Sequence, residues 1–493
     1  MSTNRKQQLS DLLGRYGEMK NKEKLAIEPQ EMPEQAAEIR RRNIDEVPLG
    51  YDEISARMEA MRCLECPTKP CIKGCPVEID IPGFIVAIRE GDYPKAISII
   101  REANCLPAVT GRVCPQEVQC QAFCTVGKAK KNPELAVSVG RLERFVADWE
   151  RTHNAFQEGP KAPATGKRVA VVGAGPAGLT VAGDLIRLGH DVTIFEAFHK
   201  GGGVLVYGIP EFRLPKAIVQ LEIDKLEAMG VKVELNSVVG STISVQELLD
   251  EEGFQAVFVG TGAGLPYFMR IPGEELIGVY SANEYLTRAN LMQAYQFPLT
   301  DTPTVRSRKV AVFGGGNVAM DSARTALRLG AEEVYLVYRR SMEEMPARRE
   351  EIHHAEEEGI HMRLLCNPVN ILGDEHGNVK GVTCLRMELG EPDASGRRRP
   401  VPVEGSEFVV EADTVVVSIG NGANPLLTEA TPEIKLNKWG NIVAEEGSGR
   451  TSMPGVYAGG DIVIGAATVI LAMGAGKSAA LAIHEDLMGK EVA

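Results

Sequence analysis

The feature that most constrains the fold is the stretch Val169-Ala-Val-Val-Gly173-Ala-Gly175-Pro-Ala-Gly178-Leu179. Four apolar residues run directly into glycines spaced Gly-x-Gly-x-x-Gly. A buried strand that turns at once into a helix has this form. The first glycine permits the tight turn, the second lets a pyrophosphate approach the backbone, and the third lets the helix pack on the strand. The helix N-terminus then faces the phosphates with unpaired N–H groups and the positive end of its dipole. Glycine-rich turns also serve packing alone, so this stretch leaves both readings open.

Its neighbours narrow the choice. The helix after the turn ends near Leu188-Gly189, and a second strand, Asp191-Val-Thr-Ile-Phe-Glu196, follows. Glu196 stands 18 residues beyond Gly178, where an acid can accept hydrogen bonds from a ribose. The alternative for Glu196 is a solvated acid at a strand end. The same design recurs at Lys309-Val-Ala-Val-Phe-Gly314-Gly-Gly316-Asn-Val-Ala319-Met-Asp321, again followed by Leu329-Gly330 and a strand, Glu333–Tyr338. The closing Ala319 is an allowed variant of the third glycine. No acid follows this second strand; Arg339-Arg340 does. Guanidinium groups suit a ribose 2′-phosphate, which an acid would repel, so the pair favours NADP over NAD. The alternative is two solvated arginines.

Two such units in tandem predict an α/β fold of the flavin disulfide-reductase type, with two Rossmann-like dinucleotide-binding domains. An FAD domain (167–300) is interrupted by an NADP domain (301–425) and completed by residues 426–493. Val257–Ala263 and Val415–Gly420 read as the strands by which the chain leaves each unit, and Asp461 in Gly459-Gly-Asp461 suits the flavin's ribityl chain. The FAD contacts expected in the turn are Gly173, Gly175, Pro176, Ala177 and Gly178, with Glu196 at the ribose. Gly203, Leu205, Gly208, Gly262, Asp461 and Thr468 complete the set. For NADP they are Gly314, Gly316, Asn317, Val318 and Ala319, with Arg339 and Arg340 at the phosphate. Hydride transfer between two bound rings asks the protein for position, so no catalytic acid or base is expected. The α/β part holds no Cys-x-x-Cys, so the flavin must pass its electrons elsewhere.

The exit lies upstream. Residues 1–155 lack strand-like alternation and read as a mainly helical domain, with helices at Tyr51–Arg62, Phe84–Arg89, Pro94–Ala103 and Leu135–Arg151. Phe156–Gly166 is a Gly/Pro-rich linker. Eight of ten cysteines fall between Cys63 and Cys124. The N-terminus shows no apolar signal core, so metal binding is favoured over disulfides. Cys63-x2-Cys66-x4-Cys71-x3-Cys75-Pro76 is followed by Cys114-Pro115, Cys120 and Cys124. Zinc is the alternative, but beside flavin and nicotinamide sites this run points to iron–sulfur. Two cubanes need eight ligands and these groups give seven cysteines. Cys105 or Glu143 is left to supply the eighth.

The net charge of −13, from Lys+Arg 54 against Asp+Glu 67, argues against nucleic acid as a main partner. The basic run Arg397-Arg398-Arg399 follows a Gly/Pro/Asp stretch and reads as a loop tip. The longest apolar run, 462–476, is shorter than the ~20 residues of a membrane span, so a cytoplasmic protein is expected.

Taken with Glu46-Val-Pro-Leu-Gly-Tyr51, Gly111-Arg-Val-Cys-Pro115, Gly203–Pro215, Met345-Pro-Ala-Arg348 and Gly459-Gly-Asp-Ile-Val463, the chain resembles the glutamate synthase small (beta) subunit family. That family includes the large subunit of NADH-dependent ferredoxin:NADP oxidoreductase, sulfide dehydrogenase and the N-terminal half of dihydropyrimidine dehydrogenase. The resemblance runs from about Glu46 to Ala482. It implies that Cys63, Cys66, Cys71 and Cys124 share one 4Fe-4S cluster. Cys75, Cys114 and Cys120 hold the second, completed by Glu143 in Gly140-Arg-Leu-Glu143, and Cys105 becomes a small buried residue. It also implies an NADPH-linked subunit moving electrons through FAD and the clusters to a partner redox subunit. That partner is a glutamate synthase large subunit or, as the alternative, a small flavin subunit with ferredoxin in a bifurcating transhydrogenase. A non-catalytic redox-sensing or scaffold module is a third reading, against which the intact motifs argue.

Overall fold

The computed structural model describes residues 2–394 and 396–489. Its N-terminal part is helical. Glu53–Ala60 starts at Asp52, whose Oδ1 accepts from the Ser55 N–H at 2.7 Å. Ile81–Glu90 stops at Gly91, which takes the left-handed φ of +84° that ends a helix. Tyr93–Ala103 and Pro107–Val113 follow. The last helix begins at Val139 and runs to Thr152, later than the expected start at Leu135. Buried Arg62 explains the delay. It donates to the carbonyls of Leu135 and Ala136, and the Ser138 N–H goes to Glu59, so these backbone groups are withdrawn from a helix.

Two five-stranded parallel sheets form the rest. In the first, the order is Val456–Ala458, Ala256–Val259, Arg168–Val172, Asp191–Phe195, Lys232–Glu234. In the second it is Val279–Ser281, Thr414–Val417, Lys309–Phe313, Glu333–Tyr338, His361–Leu364. Val169 pairs Val192 in one and Val310 pairs Val334 in the other, so the two glycine turns start from equivalent positions. The central strands are buried on both faces, as helix-covered parallel sheets require, and hence read as continuous apolar runs. The second sheet takes an edge strand from ahead of residue 300, where the sequence reading started that unit. Strand Val456–Ala458 returns from the far end of the chain to close the first sheet against Ala256–Val259.

A smaller antiparallel sheet, Cys366–Gly373, Val379–Pro392, Arg398–Pro402 and Phe408–Glu411, stands beside the second unit. One continuous apolar core joins the N-terminal helices to the first sheet, running from Phe84 and Leu142 through Val171 to Ile483. A buried ionic lattice joins the segments further. Arg324 meets Glu351 and Glu358, Arg213 meets Asp321 and Glu351, and Arg40 reaches Glu358 from the N-terminal segment. Such charges cost desolvation and hold only when all are satisfied, so they fix orientation more than they add stability. Among the described residues no helix is long and apolar enough to cross a membrane.

Candidate functional site

The first glycine turn is built as its spacing demands. Gly173 has φ +101°, and a Cβ there would stand 2.7 Å from the Gly260 carbonyl. A Cβ on Gly178 would stand 1.9 Å from the Gly173 oxygen, so helix Pro176–Arg187 packs directly on the turn. Gly175 differs: its Cβ would meet no atom within 4 Å. It caps the helix with its N-terminus open, leaving the room a pyrophosphate needs. Pro176 and Ala177 form the helix's first turn and are buried. Glu196 is also buried, its two oxygens accepting from the N–H groups of Ala174 at 2.7 Å and Phe198 at 2.9 Å. Burial pushes its carboxyl up against the pull of these bonds. Each oxygen keeps a lone pair for a ribose hydroxyl.

Gly203 leans on the turn, its Cβ position 3.0 Å from the Gly175 Cα. Gly208 is tight against the Val204 side chain, and Leu205 is wholly buried. Gly262, at φ +73°, faces open space like Gly175. Asp461 follows strand Val456–Ala458, its Oδ1 accepting from the Ala467 N–H at 3.3 Å, and burial pushes its carboxyl up to about 6. Tyr207, which sequence reasoning did not assign to the site, lies in the field of both Asp461 and Glu196; burial above all pushes its hydroxyl up to about 12. Thr468 caps the C-terminal helix Val469–Met488.

The second turn repeats the geometry. Gly314 has φ +148° and its Cβ would stand 2.3 Å from the Ser418 carbonyl, while Gly316 is open to 3.9 Å and caps helix Asn317–Arg328. Ala319 is buried and Val318 exposed. Asn317 accepts from the Arg348 N–H at 2.9 Å. The two arginines part company. Arg339 is exposed. Arg340 is buried, donating to the Arg398 carbonyl at 2.8 Å and to Asp393 at 2.6 Å. The sequence reading gave both the phosphate role; Arg340 is instead spent on the hairpin that carries Arg398–Pro402.

All ten cysteines are free thiols. Cys63, Cys66, Cys71 and Cys124 line one cavity with Ile81, Ile85 and Val137. Burial raises Cys63 to about 12 and Cys71 to about 11, with the neighbouring thiols of this group adding to it. A second group forms around Glu143. Burial pushes Cys114 and Cys120 well up, and both lie in the field of Glu143 and Cys75. Glu143 is buried on helix Val139–Thr152, its Oε1 accepting from Asn104 at 2.8 Å and Thr110 at 2.7 Å; burial raises it to about 7. Four thiols lining one cavity, and three thiols gathered about a buried carboxyl, are donor sets that suit iron–sulfur clusters. Among the described residues no three His, Cys, Asp or Glu side chains converge as ligands of one ion would. A cubane differs, because each iron takes its own ligand and the ligands stand apart. Cys105 lies elsewhere, its Sγ 3.7 Å from the Thr180 hydroxyl on the helix of the first turn.

Glycines set the second group. A Cβ on Gly111 would stand 2.6 Å from the Arg144 nitrogen, so helices Pro107–Val113 and Val139–Thr152 cross in contact, and one on Gly140 would stand 2.0 Å from Nε2 of Gln116 in the turn that follows Cys114. Sequence reasoning missed Asn104 and Thr110, which aim Glu143; a helix end and a buried threonine carry no pattern. It also missed Gln119, whose side chain donates to Thr468 at 3.3 Å. Gly474 on the C-terminal helix lies so near the Cys75-Pro76 turn that its Cβ would be 2.8 Å from the Pro76 carbonyl. Arg348, after the second turn, donates to the Arg112 carbonyl at 2.9 Å beside Cys114. The second thiol group thus touches both nucleotide units.

Comparison with known proteins gives matching landmarks. Residues 40–155 match the model for dihydropyrimidine dehydrogenase domain II, 4Fe-4S cluster. Residues 139–255 and 167–485 match that for pyridine nucleotide-disulphide oxidoreductase. The chain is 38% identical over 457 residues to the glutamate synthase [NADPH] small chain of Escherichia coli, covering 91% of this chain and 95% of that one. It is 42% identical over 444 residues to the NADP(+)-dependent formate dehydrogenase subunit beta of Moorella thermoacetica, covering 85% of this chain but 60% of the relative. Against the NADPH-Fe(3+) oxidoreductase subunit beta of Geobacter sulfurreducens, identity is 40% and the shares are 86% and 65%. The chain thus spans about three fifths of the length of those two longer relatives. Mycobacterium tuberculosis FprA in complex with NADPH shares the fold at TM-score 0.54 and 20% identity, over 66% of this chain and 85% of that one.

Proposed function

Because the chain belongs to the family of the NADPH-dependent glutamate synthase small chain, we propose that it is the electron-input subunit of a larger oxidoreductase. Bound FAD would supply the chemistry that converts a hydride pair from NADPH into single electrons, and two 4Fe-4S clusters would supply the one-electron carriers. The chain's own residues hold and orient these groups. The turns at Gly173–Gly178 and Gly314–Ala319 offer helix N-termini to the two pyrophosphates, Glu196 receives ribose hydroxyls, and Asp461 receives the ribityl chain. Arg339 meets the 2′-phosphate. Cys63, Cys66, Cys71 and Cys124 hold the outer cluster; Cys75, Cys114, Cys120 and Glu143 hold the inner one. Domain limits follow the sheets, with the NADP unit starting at Val279.

The observation that carries this reading is the contact of helix Val469–Met488 with the Cys75-Pro76 turn. Gly474 lies on Pro76 and Gln119 donates to Thr468, so the helix that follows Asp461 also packs against the segments bearing Cys75 and Cys120, which supports a short path from flavin to cluster. The partner is a separate redox subunit, a large subunit of glutamate synthase type being the form proposed. Anaerobic titration of holoprotein with NADPH tests the path. Flavin absorbance should bleach and electron paramagnetic resonance signals of reduced clusters should follow. Bleaching without cluster signals, in protein whose clusters dithionite does reduce, would refute it. Turnover of glutamine and 2-oxoglutarate with the co-purified partner tests the partner's identity. Activity only with ferredoxin and NADH would assign the transhydrogenase role instead.

A further inference from the structure

We propose that Tyr16, with Lys24 and Arg89 over its ring, is a positioning residue for the outer thiol group and raises the potential of the cluster held there. This rests on the reading just given, in which Cys63, Cys66, Cys71 and Cys124 hold the outer cluster. Helix Ser2–Arg15 and the turn Tyr16–Glu18 lie ahead of Glu46, where the family resemblance begins. Leu9, Leu12, Tyr16 and Met19 follow helical spacing and form a small apolar core of their own with Met58 and Met61. Met58 lies in helix Glu53–Ala60, and Met61 directly follows it, two residues before Cys63. Arg5 adds a second hold, donating to the Ser55 hydroxyl at 2.8 Å. The N-terminal segment is thus strapped to the helix that delivers Cys63.

The strap reaches the thiol loop itself. The hydroxyl of buried Tyr16 donates to the Cys63 carbonyl at 3.1 Å. Lys24 Nζ stands 4.0 Å and Arg89 Cζ 4.3 Å from the centre of the Tyr16 ring. Both cations also meet Glu65, which takes a left-handed φ of +50° between Cys63 and Cys66. Arg89 belongs to helix Ile81–Glu90, whose Ile81 and Ile85 line the thiol cavity. Two cations and one acid leave this group net positive, in a chain of net charge −13. A tyrosine with a packing role alone needs only its ring against the methionines. Here the hydroxyl is directed at the backbone of a thiol-bearing residue, and the ring carries the two cations. A four-thiolate cluster grows more negative when it takes up an electron, and its potential follows net charge, hydrogen bonding and exposure to solvent. A donor on the Cys63 peptide and two cations on the donor's ring favour the reduced state. Removing them lowers the midpoint potential without removing any ligand.

The test is an anaerobic redox titration of holoprotein with dithionite and mediator dyes, followed by electron paramagnetic resonance, with iron analysis of each sample. The outer cluster's signal is the one that Glu143→Ala retains. Tyr16→Phe keeps the ring, its packing and both cations and removes only the hydroxyl. Lys24→Gln removes one charge, and exposed Lys435→Gln, elsewhere on the chain, is the control. Tyr16→Phe/Lys24→Gln should make reduction of the outer cluster about tenfold less favourable, a fall of ~59 mV for one electron. Each single variant should give a smaller fall, and Lys435→Gln none. Iron content and the inner cluster's midpoint should stay at wild-type values throughout. An unchanged outer midpoint in the double variant with full iron would overturn the proposal, as would equal shifts of both clusters. Loss of iron from Tyr16→Phe would also overturn it, by making the hydroxyl a structural contact only. Wild-type holoprotein with iron for fewer than two clusters would instead refute the ligand sets on which the proposal rests.

Discussion

Gly175 and Gly178 stand three residues apart in one turn, yet the structure gives them opposite consequences. At Gly175 the backbone has φ −77° and ψ −178°, extended values any residue adopts, and a Cβ would meet nothing within 4 Å. The Cβ of a valine there meets no protein atom. The cost to the apoprotein is a less favourable helix cap, on the order of a few tenths to 1 kcal/mol. What valine does occupy is the approach to the helix N-terminus. Losing one N–H bond to a charged phosphate costs about 1.5–3 kcal/mol, roughly a 10- to 150-fold weaker affinity for FAD, before any steric term is added. At Gly178 a Cβ would lie 1.9 Å from the Gly173 oxygen, so alanine must push helix and strand apart. Overpacking of this kind costs about 1–3 kcal/mol in the apoprotein itself. Thermal unfolding of flavin-free protein and FAD titration by fluorescence quenching separate the two terms. Gly175→Val should unfold within a few degrees of wild type and bind FAD poorly; Gly178→Ala should lose both. If Gly175→Val bound FAD with wild-type affinity, or if its apoprotein unfolded as early as Gly178→Ala, the division of labour in this turn would be wrong.

Three further outcomes follow from the geometry. Glu143→Ala should cut iron content by about half, one cubane of two, while Cys105→Ala should keep the full complement; iron analysis with paramagnetic resonance distinguishes them. Arg339→Ala should raise KM for NADPH about tenfold or more with little change for NADH, whereas Arg340→Ala, which breaks the bonds to Asp393 and Arg398, should act first on thermal stability. His190 is buried, with its Nε2 2.9 Å from His484 Nδ1, and burial with that neighbour lowers it to about 4. The unfolded chain then binds more protons between about pH 6.5 and 4, so stability falls as pH falls through that window, by up to about 3 kcal/mol. Denaturant midpoints measured across it for wild type and His190→Asn should converge at low pH; parallel profiles would remove His190 from the cause.

The parts of the fold legible beforehand were those where backbone chemistry admits few sequences. Gly173-x-Gly175-x-x-Gly178 needs a positive φ, an open cap and a close packing contact at fixed spacing, so the turn announces itself, as does its copy at Gly314. The parallel strands were legible because burial on both faces leaves only apolar residues. The antiparallel sheet of residues 366–411 was not, since its strands are half exposed and alternate weakly. Thiol spacing located the metal-binding segment, but which thiols share a cavity depends on how helices Pro107–Val113 and Val139–Thr152 cross. That crossing rests on Gly111, which looks like any other glycine until Arg144 is seen against it. Arg339 and Arg340 were indistinguishable for a similar reason. Only the hairpin from a distant segment decides which one is buried.

The first sheet closes with a strand synthesised long after the edge it covers. While the ribosome works through the second unit, Ala256–Val259 is an uncovered strand edge awaiting Val456–Ala458, and such edges template aggregation. Gly474 and Thr468, which pack beside Cys75 and Cys120, arrive later still. The N-terminal helices must therefore wait some 300 residues of elongation for their permanent neighbour. Nascent chains halted between residues 260 and 455 should be the aggregation-prone ones, and assembly of the buried metal groups should be completed only once the segment bearing Gly474 has emerged.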